Sequence, residues 1–258
     1  MNIIVCVKQV PSSNEVRLDP KTNTIVRDGC DAVINPFDSH ALEAALCLRE
    51  KLGGKVSVLS MGIPTCESML RDCIARGADD ALLLTDRAFA GADTLATSYA
   101  LSLGVRRLGD FDLILCGRMA VDGDTAQIGP ELAERLHIPH VSDVSEIRPG
   151  RGCVFVRRET DDGLERLRVP LPALLTVTRE LGTPRLPSIT GVLKGEEHEI
   201  PLLDACGAGA DPAKCGLNGS PTQVARTYIP QGRGQAVEIA GDTAQQAARL
   251  AEIIREVL

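Results

Sequence analysis

Apolar and polar positions in the first half of the chain fall into blocks that match buried strands and amphipathic helices. Continuous apolar runs at residues 3–7, 55–61, 81–85 and 113–116 predict central strands. Between them, start signals at Pro36 and Asp93 and stop signals at Gly53 and Gly77 predict helices over residues 36–52, 64–76 and 93–107. Strands that alternate with helices in this way predict an α/β fold with a mostly parallel sheet.

Shorter strand-like runs follow in the second half of the chain. Runs at residues 152–157, 164–169 and 173–178 accompany Pro-Gly and Asp-Asp-Gly turns, which predicts antiparallel strands that extend the sheet. Residues 15–27 alternate between polar and apolar around a turn at residues 20–23, which indicates an exposed hairpin.

The C-terminal region predicts an arm. Residues 191–235 are rich in proline and glycine and lack periodicity, so we expect an extended arm or long loops there. Residues 242–258 predict a helix whose apolar face must bury against its own domain or a partner subunit, and this face comprises Ala247, Leu250, Ala251, Ile254 and Leu258. We therefore divide the chain into a nucleotide-binding α/β domain, residues 1–190, and a C-terminal arm, residues 191–258.

A short acidic loop joins the strand at residues 113–116 to a helix with apolar residues at spacing four from residue 128 onward. Gly117 and Gly123 let the backbone bend and approach a ligand closely, and Asp124 or Thr125 can cap the helix. Free amides at the helix start would then face a phosphate. The alternative from the pattern alone is an ordinary strand-to-helix loop with two turn glycines.

Composition narrows the class of protein. The chain has 258 residues, 44% hydrophobic and 24% charged, as in a folded globular protein. A net charge of -7, no tryptophan and 2% aromatic residues argue against nucleic-acid binding. The nine cysteines include no CxxC pair, so we expect no metal site and a reducing, cytoplasmic location. With no apolar run of about 18 residues and no signal-peptide pattern, we expect no membrane insertion.

The sequence shows no recognisable catalytic motif. The four histidines, at positions 40, 137, 140 and 198, lie in unrelated settings, and no nucleophile–base pair can be identified. Asp122 and Asp124 beside a phosphate would repel it unless their carboxylates turn away to hold loop amides. We interpret both as residues that shape the loop. A chain whose cofactor carries the chemistry would show this lack of a catalytic constellation, so whether it is an enzyme stays open.

Five ordered segments, together with the acidic loop, resemble the beta subunit of electron transfer flavoproteins. They are VCVKQVP at residues 5–11, NPFD with ALEAA at 35–45, SMG at 60–62, the stretch 156–189, and GSPT at 219–222. The resemblance implies a three-layer, twisted-sheet fold like that of the adenine nucleotide alpha hydrolases. It also implies that the acidic loop wraps a nucleotide phosphate. Met119 departs from the family, which usually has glutamine at this position.

The resemblance implies which ligand the loop holds. The run Asp122–Gln127 is similar to that of flavin-bifurcating members, which hold a second FAD there, whereas classical members hold AMP. Val7, Lys8, Asn35, Met61, Gly62 and Ala120 match positions that line the adenosine. The pyrophosphate cradle corresponds to Gly123, Asp124, Thr125, Ala126, Gln127 and Ile128, and Asp122 is a further cofactor-binding residue. In bifurcating members the beta FAD takes a hydride from NADH.

The resemblance also implies partners. They are an alpha subunit that the C-terminal arm embraces in a heterodimer, ferredoxin or flavodoxin, and an acyl-CoA dehydrogenase-like flavoenzyme. Leu186 matches a leucine that inserts into a pocket on the dehydrogenase, and the lysine-rich run common just downstream is missing here. Two alternatives stay open: a classical carrier that holds AMP, and, more remotely, a stress-protein-like nucleotide-binding sensor.

Overall fold

A computed structural model describes residues 1–12, 17–18, 25–26, 32–226, 228, 236 and 238–257. Residues Met1–Val224 form one compact unit and Ala225–Leu258 a second. The strands are β1 Asn2–Cys6, β2 Gln9–Pro11, β3 Arg17–Leu18, β4 Ile25–Val26, β5 Ala32–Ile34, β6 Lys55–Met61, β7 Asp80–Leu84, β8 Leu113–Gly117, β9 His140–Gly150, β10 Cys153–Thr160, β11 Gly163–Pro170, β12 Ala173–Val177 and β13 Leu202–Leu203. The helices are α1 Pro36–Leu52, α2 Glu67–Arg76, α3 Thr94–Leu108, α4 Ile128–Leu136, α5 Ile189–Glu197 and α6 Thr243–Val257.

The main sheet has nine strands in the order β11-β10-β9-β12-β8-β1-β6-β7-β13. The strands from β9 through β12 to β13 pair in parallel, whereas β9, β10 and β11 pair antiparallel. This arrangement confirms the predicted mostly parallel α/β sheet and its antiparallel extension.

Helices cover both faces of the parallel strands. Side chains alternate between the faces along a strand, so Ile3 and Ile4 of β1 belong to different cores. On the side of Ile3 lie α1 and α2, whereas on the side of Ile4 lie α3 and α4. Central strands buried on both faces must be apolar throughout, which explains the continuous runs in the sequence. The result is the expected three layers.

The order of the strands places a topological switch point between β1 and β8. From β1 the chain proceeds through α1 to β6 and then β7 on one side, and β8 returns to the opposite side of β1. The connections after β1 and β8 therefore leave in opposite directions. In open α/β sheets, ligands bind outside the carboxyl ends of the strands at such a switch point.

Several elements differ from the sequence prediction, and two of them have a clear physical reason. Strand β9, with 11 residues, was missed because its buried and exposed positions do not alternate regularly. Helix α5 lies where long loops were expected, so that expectation is wrong for residues 191–197. It has only nine residues and two glycines, which is too short and too irregular for a periodic signal. The predicted boundary between domain and arm stays a prediction.

Some predictions fall partly outside the described residues. Strands β3 and β4 pair antiparallel, in agreement with the predicted hairpin, but the turn at residues 20–23 lies outside the described part of the chain. Helix α6 confirms the predicted terminal helix, and Ala247, Leu250, Ala251 and Ile254 on its apolar face are exposed. Leu258 lies outside the described residues. Across the described ranges, no helix is both long and apolar enough to cross a membrane.

Candidate functional site

The predicted cofactor residues gather at the carboxyl edge of the parallel strands. Val7 and Lys8 follow β1, Met61 and Gly62 lie at the end of β6, and the acidic loop follows β8. Because neighbouring parallel strands end at the same edge, the fold brings these three segments to the switch point. Sequence positions more than 100 residues apart thus become neighbours, as the resemblance implies.

An ion pair joins the segment after β1 to the acidic loop. The ammonium of Lys8 contacts both carboxylate oxygens of Asp122, at 2.7 and 2.8 Å. The two side chains are 49% and 30% exposed, so the pair stabilises the fold by only about 0–1 kcal/mol. The main effect of the pair is to lower the net negative charge of the loop, because the ammonium of Lys8 neutralises the carboxylate of Asp122. The expectation that Asp122 would turn to loop amides is therefore wrong: its carboxylate turns to Lys8.

The side chain of Asn35 forms hydrogen bonds with the backbone of the same loop. Its side chain is fully buried, with 0% exposure. The amide nitrogen Nδ2 donates to the carbonyl of Met119 at 2.9 Å, and Oδ1 accepts the N–H of Val121 at 3.1 Å. Both polar ends of Asn35 thus fix loop backbone rather than reaching toward solvent. Since Met119 contributes its carbonyl, methionine in place of the family's glutamine leaves this contact intact.

Asp38, in the first turn of α1, joins the ends of β1 and β8. Its carboxylate accepts the N–H of Lys8 at 2.8 Å through Oδ2 and that of Gly117 at 3.1 Å through Oδ1. Burial raises the pKa of Asp38 from 3.8 to about 7, although hydrogen bonds from Asn35, Lys8 and Gly117 oppose the shift. No local pattern in the sequence indicates this role of Asp38, because both donors come from segments outside its own helix.

Gly117 serves this junction. A Cβ at Gly117 would lie 2.3 Å from Oδ1 of Asp38 and 2.6 Å from Cβ of Phe37. The prediction that Gly117 permits close approach of a ligand is therefore corrected, because α1 occupies that space. Gly123 differs, since nothing lies within 4 Å of its would-be Cβ. Close approach of a ligand at Gly123 therefore stays a prediction.

The loop is exposed from Asp122 to Gln127 and has an unusual backbone. Asp124 and Ala126 adopt left-handed conformations, with φ of 48° and 53°. The carbonyl of Ala120 accepts the N–H groups of Gly123 and Asp124 at 3.3 and 2.9 Å, which closes a turn before the helix. Backbones that alternate between left-handed and ordinary residues form concavities that bind anions.

Helix α4 starts later than the capping prediction requires. Its N-cap is Gln127, without a side-chain cap, so the expectation that Asp124 or Thr125 caps the helix is wrong. The turn at Ala120 places both residues before the helix. The hydroxyl oxygen of Thr94, at the start of α3, lies 3.1 Å from Gln127 Oε1 and 2.9 Å from Glu131 Oε1, and no local sequence pattern signals this link.

The remaining candidates lie in separate places. Leu186 is 85% exposed and precedes α5. His137 ends α4 in a left-handed conformation, and His40 bonds the carbonyl of Gly182 at 2.7 Å. Within the described ranges, no group of three or more His, Cys, Asp or Glu side chains is arranged to hold a metal ion.

Comparisons with known proteins agree with this architecture. The electron transfer flavoprotein domain matches residues 22–208. The chain is 46% identical over 249 residues to the caffeyl-CoA reductase-Etf complex subunit CarD of Acetobacterium woodii, covering 96% of this chain and 95% of that protein. It is 49% identical over 231 residues to the electron transfer flavoprotein subunit beta of Thermoanaerobacterium thermosaccharolyticum, covering 89% and 88%.

A further relative carries a different name. The chain is 42% identical over 265 residues to the protein FixA of Azorhizobium caulinodans, covering 99% of this chain and 94% of that protein. The domain match spans most of the sequence, and the relatives match nearly end to end. The chain therefore belongs to the electron transfer flavoprotein family and is a member of its beta-subunit branch.

Proposed function

We propose that this chain is the beta subunit of a flavin-bifurcating electron transfer flavoprotein and that it holds FAD at the switch point between β1 and β8. The observation that supports this proposal is the position of the acidic loop, which Asn35 and Asp38 hold at this switch point by hydrogen bonds. When bound, the FAD would accept a hydride from NADH and release electrons singly. One would go to ferredoxin or flavodoxin, the other through the FAD of an alpha subunit to an acyl-CoA dehydrogenase-like enzyme.

The residues present fit an anionic dinucleotide. The exposed loop offers main-chain amides from Thr125 to Ile128, at the start of α4, where a helix favours negative charge. Lys8 neutralises Asp122, which removes the repulsion that an unpaired carboxylate would exert on a phosphate. Open space at Gly123 leaves room for close approach of a ligand to the backbone.

The chain's own residues bind and position, and they leave the redox chemistry to the cofactor. Asn35 fixes the carbonyl of Met119 and the amide of Val121, so the loop keeps one shape. Asp38 ties the ends of β1 and β8 together beneath it. A preformed loop reduces the ordering entropy that nucleotide binding would otherwise cost.

The choice of FAD over AMP rests on the sequence of the loop. The run from Asp122 to Gln127 resembles bifurcating members, and one relative is named as a subunit of a caffeyl-CoA reductase complex. We further propose that the chain pairs with an alpha subunit through its C-terminal arm, in the cytoplasm. Leu186 then serves as the contact for the acceptor flavoenzyme, because its side chain is 85% exposed.

The test is to co-purify the chain with its alpha subunit, denature the complex and quantify released FAD and AMP. Two FAD molecules per heterodimer, with little AMP, would support the proposal, and NADH oxidation would then be assayed. One FAD and one AMP would instead identify a classical carrier. Absence of both flavin and partner would favour a nucleotide-binding sensor.

A further inference from the structure

Helix α5 has two opposite faces with different properties. Gly191 and Gly195, four residues apart, lie on one face. At 3.6 residues per turn, Ile189 and Leu193 lie on the opposite face. Ile189 is 85% and Leu193 55% exposed, whereas Gly195 is buried. The helix thus packs through glycine and displays large apolar side chains outward.

The glycine face brings α5 into backbone contact with α2. A Cβ at Gly191 would lie 2.0 Å from the carbonyl oxygen of Ala75. A Cβ at Gly195 would lie 2.6 Å from that of Arg71. Any side chain at these positions would push the two helices apart, because backbone atoms cannot move aside as a flexible side chain does. The glycines therefore set both the separation and the orientation of α5.

Arg71 of α2 binds the C-terminal end of α5. The two N–H groups of its Nη1 are shared among the carbonyls of Gly195 at 2.8 Å, Glu196 at 2.6 Å and His198 at 2.9 Å. The Oε1 of Glu67 accepts from its Nε at 3.2 Å and from its Nη2 at 2.6 Å, which holds the guanidinium in place. The last carbonyls of a helix lack partners within it and carry partial negative charge, so a cation there stabilises the helix end.

The N-terminal side of α5 is held as well. Ser188 caps the helix by accepting the N–H of Gly191 at 3.0 Å. Arg185 binds Glu43 of α1 through its main-chain N–H and its guanidinium, both at 2.9 Å, and also contacts Glu50. Hydrogen bonds that Arg185 donates to Glu43 and Glu50 raise the pKa of Arg185, so its guanidinium stays charged at all ordinary pH values. Leu186 therefore lies in the chain between Arg185, which is held by Glu43, and Ser188, which caps α5.

We infer that Arg71 is a positioning residue for partner docking: with Gly191 and Gly195 it fixes α5 on α2 and so holds Leu186 and the outer face of α5 in one arrangement. The inference rests on the proposed function, in which Leu186 contacts the acceptor flavoenzyme. A segment that is already ordered loses less conformational entropy on binding than a mobile one does. Loss of Arg71 would therefore weaken docking without removing any residue that contacts the partner.

The experiment compares two arginines of α2 in the heterodimer. Arg76 pairs with Asp72 at spacing four, as Arg71 pairs with Glu67, so Arg76→Gln is a matched control for Arg71→Gln. We expect Arg71→Gln to raise the KM for the acceptor flavoenzyme about tenfold with kcat and flavin content unchanged, the effect of losing preorganisation. Amide hydrogen exchange over residues 186–197 should accelerate in Arg71→Gln and stay at the wild-type rate in Arg76→Gln.

Two further variants make the outcome decisive. Arg71→Lys retains a cation with three donors for the three carbonyls and should restore most of the affinity. Gly195→Ala leaves Arg71 in place but displaces α5, and it should raise KM as Arg71→Gln does. A wild-type KM in Arg71→Gln, or an equal rise in Arg76→Gln, would overturn the inference.

Leu186→Ala separates this inference from the proposed function. If Leu186→Ala raises KM and Arg71→Gln does not, the positioning role alone fails. If Leu186→Ala leaves KM unchanged, the proposed docking role of Leu186 fails. The exchange measurement on residues 186–197 needs no partner, so it reports on the seating of α5 in either case.

Discussion

The buried carboxylate of Asp38 accepts the main-chain N–H of Gly117 at 3.1 Å, and this bond ties the start of α1 to the end of β8. The other oxygen of Asp38 accepts the N–H of Lys8. Two strand ends that flank the switch point thus share one side chain. The junction therefore determines where the acidic loop starts.

Asp38 should make stability depend on pH. Burial raises its pKa from 3.8 to about 7, so between about pH 4 and pH 7 the folded protein binds more protons than the unfolded chain. The contribution of this group to the free energy of unfolding is therefore fully present below about pH 4 and falls as the pH rises to about 7. We expect a loss of roughly 2–4 kcal/mol between these limits.

Other carboxylates change stability in the opposite direction, so a variant must isolate Asp38. Burial acts to raise the pKa of Glu43, but hydrogen bonds from Arg185 outweigh it and the pKa is lowered, which stabilises the fold at neutral pH. Asp38→Asn keeps the shape of the side chain without the titration. Urea unfolding of both proteins would be measured from pH 4 to 8. The free energy of unfolding of the wild type should fall relative to that of Asp38→Asn as the pH rises from about 4 to about 7. Parallel profiles would show that Asp38 does not titrate there.

The two loop glycines should respond differently to alanine. In Gly117→Ala the new Cβ would meet Asp38 and Phe37, so we expect a loss of about 1–3 kcal/mol in stability, the usual effect of overpacking. In Gly123→Ala nothing lies within 4 Å, so stability should stay within about 0.5 kcal/mol of the wild type.

Nucleotide binding supplies the second measurement on this pair. Gly123→Ala should lower the nucleotide content of the purified heterodimer although the protein remains stable, because its methyl group projects into the space left for the ligand. Unfolding by urea and quantification of bound nucleotide distinguish the two glycines. Full nucleotide content in Gly123→Ala would argue against a ligand on that side of the loop.

The strands and helix starts of the fold could be predicted from the sequence, whereas the hydrogen bonds that hold the acidic loop could not. Apolar runs, Pro36 and Asp93 predicted the central strands and the starts of α1 and α3, and Asp93 does cap α3 by accepting the N–H of Ala96. These signals are local. Asn35 bonds Met119 and Val121 across more than 80 residues, and no local pattern reports such a pairing.

Helix α5 illustrates the same limit. Its order depends on Arg71, more than 120 residues away, and on two glycines that lower its intrinsic helix propensity. The sequence therefore indicated loops where tertiary contacts produce a helix. The start of α4 was misplaced for a related reason, because the turn closed by Ala120 uses backbone groups that carry no residue preference.

Lys8 and Asp122 should act as a unit in nucleotide binding. Lys8→Met leaves Asp122 uncompensated beside the proposed phosphate site, and we expect about tenfold weaker nucleotide binding, or about 1.4 kcal/mol. Asp122→Ala should also lower nucleotide content, because the loop loses its link to β1. The double variant should lose less free energy of nucleotide binding than the two single variants lose together, since removing both side chains leaves no unpaired charge.

Equilibrium dialysis with the nucleotide found in the wild type would measure this coupling. Lys55 offers a control, because it pairs with Asp80 at 2.9 Å at the other end of β6 and is exposed to a similar degree. Lys55→Met should leave nucleotide affinity unchanged. Strict additivity of the Lys8 and Asp122 effects would mean that the ion pair plays no part in binding.

Leu186 should matter for electron transfer and for little else. Its side chain is 85% exposed, so Leu186→Ala should change the free energy of unfolding by less than about 0.5 kcal/mol. If it enters a pocket on the acceptor, truncation should raise the KM for that enzyme about tenfold or more, as hot-spot residues do. Leu164, 64% exposed on β11, provides a matched control, and Leu164→Ala should leave KM, flavin content and stability unchanged. Steady-state reduction assays with the acceptor flavoenzyme, run at saturating NADH, would measure both variants. An equal effect of the two leucines would indicate a general loss of apolar surface rather than a specific anchor at Leu186.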